Sequence, residues 1–132
     1  MNKQQLIKEA MEARAYSYTP YSQFPVGAAL ELEDGSIVRG ANIENASFGL
    51  TNCAERTALF KAVSDGKRNV KRIAIVADTD APVSPCGACR QVMAELCHPL
   101  TTVILSNMKG DIEETTVSDL LPGAFKAEDM NE

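Results

Sequence analysis

No run of basic residues occurs in this sequence: its 13 Lys and Arg are scattered among 18 Asp and Glu, for a net charge of -5. Polyanion binding needs clustered cations to replace counterions, so the charge pattern disfavours a nucleic-acid partner. No apolar stretch approaches the roughly 20 residues of a membrane span. The N-terminal Met-Asn-Lys-Gln-Gln leads into an amphipathic pattern carrying Glu9 and Glu12. It therefore lacks both the apolar core of a signal peptide and the acid-poor make-up of a transit peptide. Internal repeats and low-complexity tracts are absent as well, and there is a single histidine, His98. These absences leave a cytosolic chain as the expectation, with no membrane and no nucleic acid among its partners. In that compartment four cysteines point to metal or catalysis rather than to disulfides.

The 132 residues, 45% hydrophobic and 23% charged, sit in the ordinary globular range. They suit one domain over 1–132 and leave no room for a second core. Leu6, Ile7, Ala10, Met11 and Ala13 recur at three- and four-residue steps and predict an amphipathic helix to about residue 16, limited by Pro20. A turn-rich segment at 18–25 precedes a strand at 26–33, with Ala28, Leu30 and Leu32 on one face. Asp34-Gly35 reads as a hairpin turn that returns 36–43 antiparallel. After a loop at 45–52, residues 53–63 predict a second helix with Ala54, Ala58, Leu59 and Ala62 inward, ended by Asp65-Gly66. The continuously apolar Ile73-Ala74-Ile75-Val76 suits a strand covered on both faces. A third helix to about Cys97 and a strand at 101–106 follow. The link at 108–111 is too short for a parallel crossover, so a strand at 112–117 should pair antiparallel with its predecessor. The sum is an α/β layered domain with a five-stranded mixed sheet.

Two stretches carry chemistry. In Ser84-Pro85-Cys86-Gly87-Ala88-Cys89-Arg90, a Cys-x-x-Cys turn follows a strand and opens a helix. Both sulfurs are within reach of one ion there, and the positive helix end lowers their pKa values. The same geometry serves a thioredoxin-like redox pair. Asn52-Cys53-Ala54-Glu55-Arg56 adds a third thiol, a carboxylate and an arginine. A redox dithiol has no use for that addition, whereas three thiolates leave the fourth tetrahedral position of zinc open, as in catalytic sites. Cys97 lies eight residues beyond Cys89, about 12 Å along a helix, too far to share the ion, and reads as an apolar thiol.

Several neighbours have an ordinary reading beside the functional one. Glu55 fits a capping box with Asn52 at the N-cap, or a proton carrier beside the metal's open position. Arg56 is either a solvated helix charge or a donor to the ligand sulfurs, offsetting the net charge of -1 that three thiolates give zinc. Asn42 and Glu44 are either an edge-of-loop pair bonding the backbone or an amide and carboxylate that hold a sugar hydroxyl. Phe24 is either a core residue or the wall for an aromatic ligand. Phe125, after Pro122-Gly123, is a candidate to pack on a neighbouring subunit. His98 beside Pro99 marks a plain helix stop.

The strings Asn42-Ile43-Glu44-Asn45, Cys53-Ala54-Glu55-Arg56-Thr57-Ala58 and Ser84-Pro85-Cys86-Gly87-Ala88-Cys89-Arg90-Gln91 resemble the cytidine and deoxycytidylate deaminase family in its three-cysteine form. Within it they are similar to the short-chain, homotetrameric cytidine deaminases. The likeness runs from the first helix to Leu121-Pro122-Gly123-Ala124-Phe125. It implies a three-layer α/β/α fold, one zinc per subunit on Cys53, Cys86 and Cys89, and attack of activated water on C4 of cytosine with Glu55 moving the protons. It further implies ribose on Asn42 and Glu44, the base against Phe24, backbone contacts at Ala54, Arg56 set against the sulfurs, and Phe125 reaching the site of an adjoining subunit. The implied role is deamination of cytidine and 2′-deoxycytidine in pyrimidine salvage. One departure is Phe48, where many members carry tyrosine. A transfer-RNA deaminase usually has His-Ala-Glu in place of Cys53-Ala54-Glu55. A nucleoside-antibiotic deaminase is not expected to combine Asn42-Ile43-Glu44-Asn45 with Arg56. A thiol oxidoreductase and an inactive zinc-stabilised module are the rivals from other classes.

Overall fold

The computed structural model describes residues 1–125. Its first helix, α1 (Lys3–Arg14), begins with a reciprocal cap. The Asn2 side chain accepts from the Gln5 amide, and Gln5 Oε1 from the Asn2 amide, at 2.8 Å each. This capping box satisfies two of the amides that a helix start leaves unpaired. The helix ends two residues before the expected limit.

Strands β1 (Val26–Leu32) and β2 (Ile37–Ala41) form the hairpin, with Gly35 at φ +87 in the turn. Helix α2 (Ala54–Ser64), strand β3 (Val70–Ala77), helix α3 (Gly87–Leu96), strands β4 (Thr102–Asn107) and β5 (Ile112–Thr116) and the short α4 (Val117–Leu120) follow. The sheet runs β2-β1-β3-β4-β5. Only β3 and β4 are parallel, joined through α3, and β5 returns antiparallel as its four-residue link requires.

Helices cover both faces. Leu6, Ile7 and Ala10 of α1 pack on Ala29, Ala74, Val76 and Ile104. On the opposite face Ala54, Ala58, Leu59 and Ala62 of α2 and Met93 of α3 pack on Ala28, Leu30, Ile73, Ile75, Val103 and Leu105. The expected inner face of α2 is thus the buried one. Strand β1, paired on both sides by β2 and β3, is buried on both faces: Ala28, Leu30 and Leu32 share the expected face, while Ala29 is buried under α1 and Glu31 beside Arg72 of β3. The result is a three-layer α/β/α arrangement with a five-stranded mixed sheet.

Two glycines set the layer spacing. A Cβ on Gly27 would collide with the Ala10 carbonyl of α1, and one on Gly40 would come within 2.5 Å of the Ala54 carbonyl of α2. These close approaches seat α1 against β1 and the start of α2 against β2. No helix among the described residues is long and apolar enough to cross a membrane.

Candidate metal centre and cleft

The three cysteines meet where two helices begin. Cys53 is the N-cap of α2, Cys86 is the N-cap of α3, and Cys89 lies in the first turn of α3. Their sulfurs all lie within 4.8 Å of one another, with 3.7 Å between Cys53 and Cys86 and 3.1 Å between Cys86 and Cys89. Four-coordinate zinc with Zn–S bonds of about 2.3 Å separates its sulfurs by about 3.8 Å, so the trio sits close to the geometry the ion demands. Cys97 is not part of it. Cys97 is the C-cap of α3 through its backbone amide, and its thiol packs against the core and is pushed up to about 12 by burial.

The electrostatics fit a dication. Arg56 Nη2 lies 3.3 Å from Cys53 Sγ, so the guanidinium does face the sulfurs rather than solvent. Hydrogen bonding from Cys89, then from Arg56 and Cys86, pulls the Cys53 thiol down to about 5 against the opposing effect of burial. The same pairing with Cys53, together with burial, pushes Cys89 up. Ligand thiols must ionise to bind metal, and a cation held among the three favours the thiolate form of each. A redox dithiol explains neither the third sulfur nor the arginine.

Glu55 is 4% exposed, and burial raises its pKa, with the charge on Cys53 adding to the effect. Of the two readings of Glu55, the capping box with Asn52 is not formed. The N-cap is one residue later, at Cys53, because the Asn52 side chain turns to the Thr57 hydroxyl at 3.3 Å. Glu55 therefore takes no part in a reciprocal capping box; its carboxyl bonds its own backbone amide and lies beside Cys89 at the metal centre.

A cleft of about 330 Å³ opens onto the sulfurs, lined by Phe24, Asn42, Glu44, Cys53, Ala54, Glu55 and Cys86, with Val26, Ile75 and Val83 as apolar walls. Its size falls within the range of small-molecule sites, about 300–1,000 Å³. Phe24 is 40% exposed and belongs to this cleft rather than to the core. Asn42 and Glu44 combine their two expected readings, since both line the cleft and both bond backbone. Asn42 accepts from the Val26 amide and donates to the Phe24 carbonyl at 2.9 Å each. Glu44 accepts from the amides of Tyr21 and Ser22 at 3.1 Å each, and from the Ser22 hydroxyl.

Phe125 stands outside the cleft of its own chain. It is exposed, and its carbonyl accepts from Gln91 Nε2 at 3.0 Å. Phe48 is also exposed, in a neighbouring hollow with Tyr21, Ser22, Glu44 and Thr51. His98 accepts from the Leu100 amide at the turn after α3 and lies away from the sulfurs. Two participants escaped the sequence reading. Ser22 contacts Glu44, and Arg90 braces the segment before Cys86 through Ser84 and Pro85. Arg90 follows a ligand directly, and that adjacency was the one available signal; Ser22 carried none.

The family model for the cytidine and deoxycytidylate deaminase zinc-binding region matches residues 1–106. The chain is 70% identical over its full length to the full-length cytidine deaminase of Halalkalibacterium halodurans. It is 63% identical to that of Sporosarcina psychrophila, over 99% of this chain and 96% of the relative. Among solved structures, cytidine deaminase from Burkholderia pseudomallei superposes with a TM-score of 0.93 at 54% identity, covering 95% of this chain and all of that one. The enzyme from Mycobacterium tuberculosis superposes at 0.82 and 36%, over 96% of this chain and 98% of that one. Three sulfurs fit for one zinc, a buried carboxylate beside them and these matches together place the chain in the cytidine and deoxycytidylate deaminase family of zinc enzymes.

Proposed function

We propose that the protein hydrolyses cytidine and 2′-deoxycytidine to uridine and 2′-deoxyuridine, with release of ammonia. The observation that carries this reading is the position of Glu55, buried beside Cys53, Cys86 and Cys89 on a cleft that also presents Phe24, Asn42 and Glu44. The two relatives at 70% and 63% identity are cytidine deaminases, which supports cytidine as a substrate.

In this reading Cys53, Cys86 and Cys89 hold zinc, which supplies Lewis-acid activation of water at neutral pH. Glu55 takes a proton from the attacking water and carries protons to the ring nitrogen and to the departing amine. A C4–O bond forms, the exocyclic C4–N bond breaks, and ammonia leaves. Phe24 offers its exposed ring to the base, the backbone at Ala54 offers hydrogen bonds to the base edge, and Asn42 with Glu44 holds the sugar. Arg56 donates to Cys53 and so moderates the electron density that three thiolates push onto the metal.

The same reading places the enzyme in pyrimidine salvage in the cytoplasm, as one domain per subunit of a homotetramer with shared sites. Exposed Tyr16, Phe48, Leu50, Phe60 and Phe125 support the assembly, since large apolar groups left on a surface are suited to a subunit contact. Phe125 then serves the cleft of a neighbouring subunit.

Mixing purified protein with cytidine or 2′-deoxycytidine tests the reading directly. The cytosine absorbance band should be lost with one ammonia released per nucleoside. Zinc-loaded protein that leaves both nucleosides intact overturns the substrate assignment.

A further inference from the structure

The groups assigned above to the nucleoside are tied together by a side chain given no role so far. Ser22 Oγ donates to Glu44 Oε2 and accepts from the Phe24 amide at 3.1 Å. The other carboxylate oxygen, Glu44 Oε1, accepts from the amides of Tyr21 and Ser22 at 3.1 Å each. From the far side, Asn42 Nδ2 reaches the Phe24 carbonyl at 2.9 Å. The chain of bonds therefore runs from Glu44 through Ser22 and Phe24 to Asn42, joining the sugar groups to the base wall.

The backbone inside this chain is in a conformation that side-chain-bearing residues rarely adopt. Gln23, between Ser22 and Phe24, has φ +54, the only positive value at a non-glycine residue among those described. Such a conformation persists where the surroundings over-determine it. Here both flanking residues are bonded, Ser22 to Glu44 and Phe24 to Ser22 and Asn42.

The accounting of acceptor positions gives the bonds a consequence. A carboxylate has about four acceptor positions. In Glu44 the Tyr21 amide, the Ser22 amide and the Ser22 hydroxyl take three of them. We infer that Ser22 is a positioning residue of the nucleoside site: its hydroxyl fixes the Glu44 carboxylate so that one acceptor position remains for a single sugar hydroxyl. Without that hydroxyl, Glu44 keeps its two amide bonds on Oε1 but Oε2 is untethered, and the sugar must order it on binding. The inference rests on the assignment of Glu44 to the sugar.

Ser22→Ala, compared on cytidine and on 2′,3′-dideoxycytidine, tests it. The variant should raise KM for cytidine about tenfold, the worth of one lost charge-assisted hydrogen bond. Its kcat should stay within about twofold and its KM for the dideoxynucleoside should match the parent. Ser22→Gly, which deletes the same hydroxyl, must give the same pattern. An equal KM increase on both substrates overturns the inference, because a serine that merely shapes the loop penalises them alike. Glu44→Gln on the same pair separates the two levels. If it penalises both nucleosides equally, the sugar assignment itself falls; if it penalises only cytidine while Ser22→Ala penalises neither or both, only the role of Ser22 falls.

Discussion

Gly40 of β2 lies directly against Ala54 of α2: a Cβ at position 40 would stand 2.5 Å from both the Ala54 carbonyl oxygen and the Ala58 amide nitrogen. Both obstacles are helix backbone, which has no rotamer to change, so the helix as a whole must move. Ala54 is flanked by Cys53 and Glu55, and the displacement passes to the metal ligand and the proposed proton carrier. Gly40→Ala should destabilise the fold by about 1–3 kcal/mol, an overpacking cost. That lowers Tm by about 5–15 °C. The folded variant should also lose zinc faster to a chelator than the parent. A melting curve within a degree or two of the parent would show that the layers are looser than this contact implies.

Glu55 forms no capping box with Asn52, and its backbone bond, from its own amide, is one that a glutamine oxygen can keep, so loss of the carboxylate is separable from folding. Glu55→Gln keeps the size of the side chain and cannot shuttle protons. The expected result is a folded protein with full zinc content and kcat lowered by about 10² to 10⁴, the range of general acid–base catalysis. Metal analysis and ammonia release on one preparation check both halves. Retention of more than a few per cent of turnover would sink the proton-carrier role.

Glu31 and Arg72 are cross-strand partners on β1 and β3, with Arg72 Nε 2.6 Å from Glu31 Oε1. The hydrogen bond to Arg72 holds the Glu31 carboxyl below the usual range, overcoming the upward push of burial. A depressed folded-state pKa means that the unfolded chain binds the proton more readily. The contribution of the pair is therefore complete above the unfolded value of about 4.3 and is lost as pH falls through the lower folded value. Tm measured from pH 7 down to pH 3 should drop for the parent, and Glu31→Gln should flatten the part of that drop below about pH 4.5. Parallel curves for the two proteins would count against the pair.

That same pair marks the limit of what one sequence displays. The turn at Asp34-Gly35, the inner face of α2 and the antiparallel return of β5 follow from local rules on glycine, helical periodicity and link length, and they stand in the structure as expected. Glu31 does not follow from such a rule. Alternation along β1 puts it on the face opposite Leu30 and Leu32, for which the pattern names no partner, and only the placement of β3 beside β1 supplies Arg72, 41 residues away. The metal ligands were legible because each marks a helix start by its own neighbours. The cap of α2 was missed by one residue because the choice depends on whether Asn52 bonds its own helix start or Thr57, which only the folded turn decides. Ser22 was invisible for a related reason, as its partner Glu44 reaches it through an intervening hairpin.

Arg90 distributes its guanidinium over three acceptors: Nε to the Pro85 carbonyl at 2.9 Å, Nη2 to the Ser84 hydroxyl at 2.6 Å, and Nη1 to the Leu120 carbonyl at 2.8 Å. Two of these brace the segment that delivers Cys86, and the third ties down the end of α4. Next to it, Gln91 holds the Phe125 carbonyl. A lysine at position 90 keeps the charge but places its donors on one nitrogen, which does not reproduce the planar fork. Arg90→Lys should cost about 1–3 kcal/mol through lost hydrogen bonds to a charged group. It should also increase protease cleavage between Leu121 and Phe125 and quicken zinc loss to a chelator. Arg72→Lys, at the opposite end of the sheet from the sulfurs, is the comparison: it should lower stability while leaving zinc release at the parental rate. If both variants release zinc alike, Arg90 acts through global stability and the link from the C-terminal segment to Cys86 is refuted.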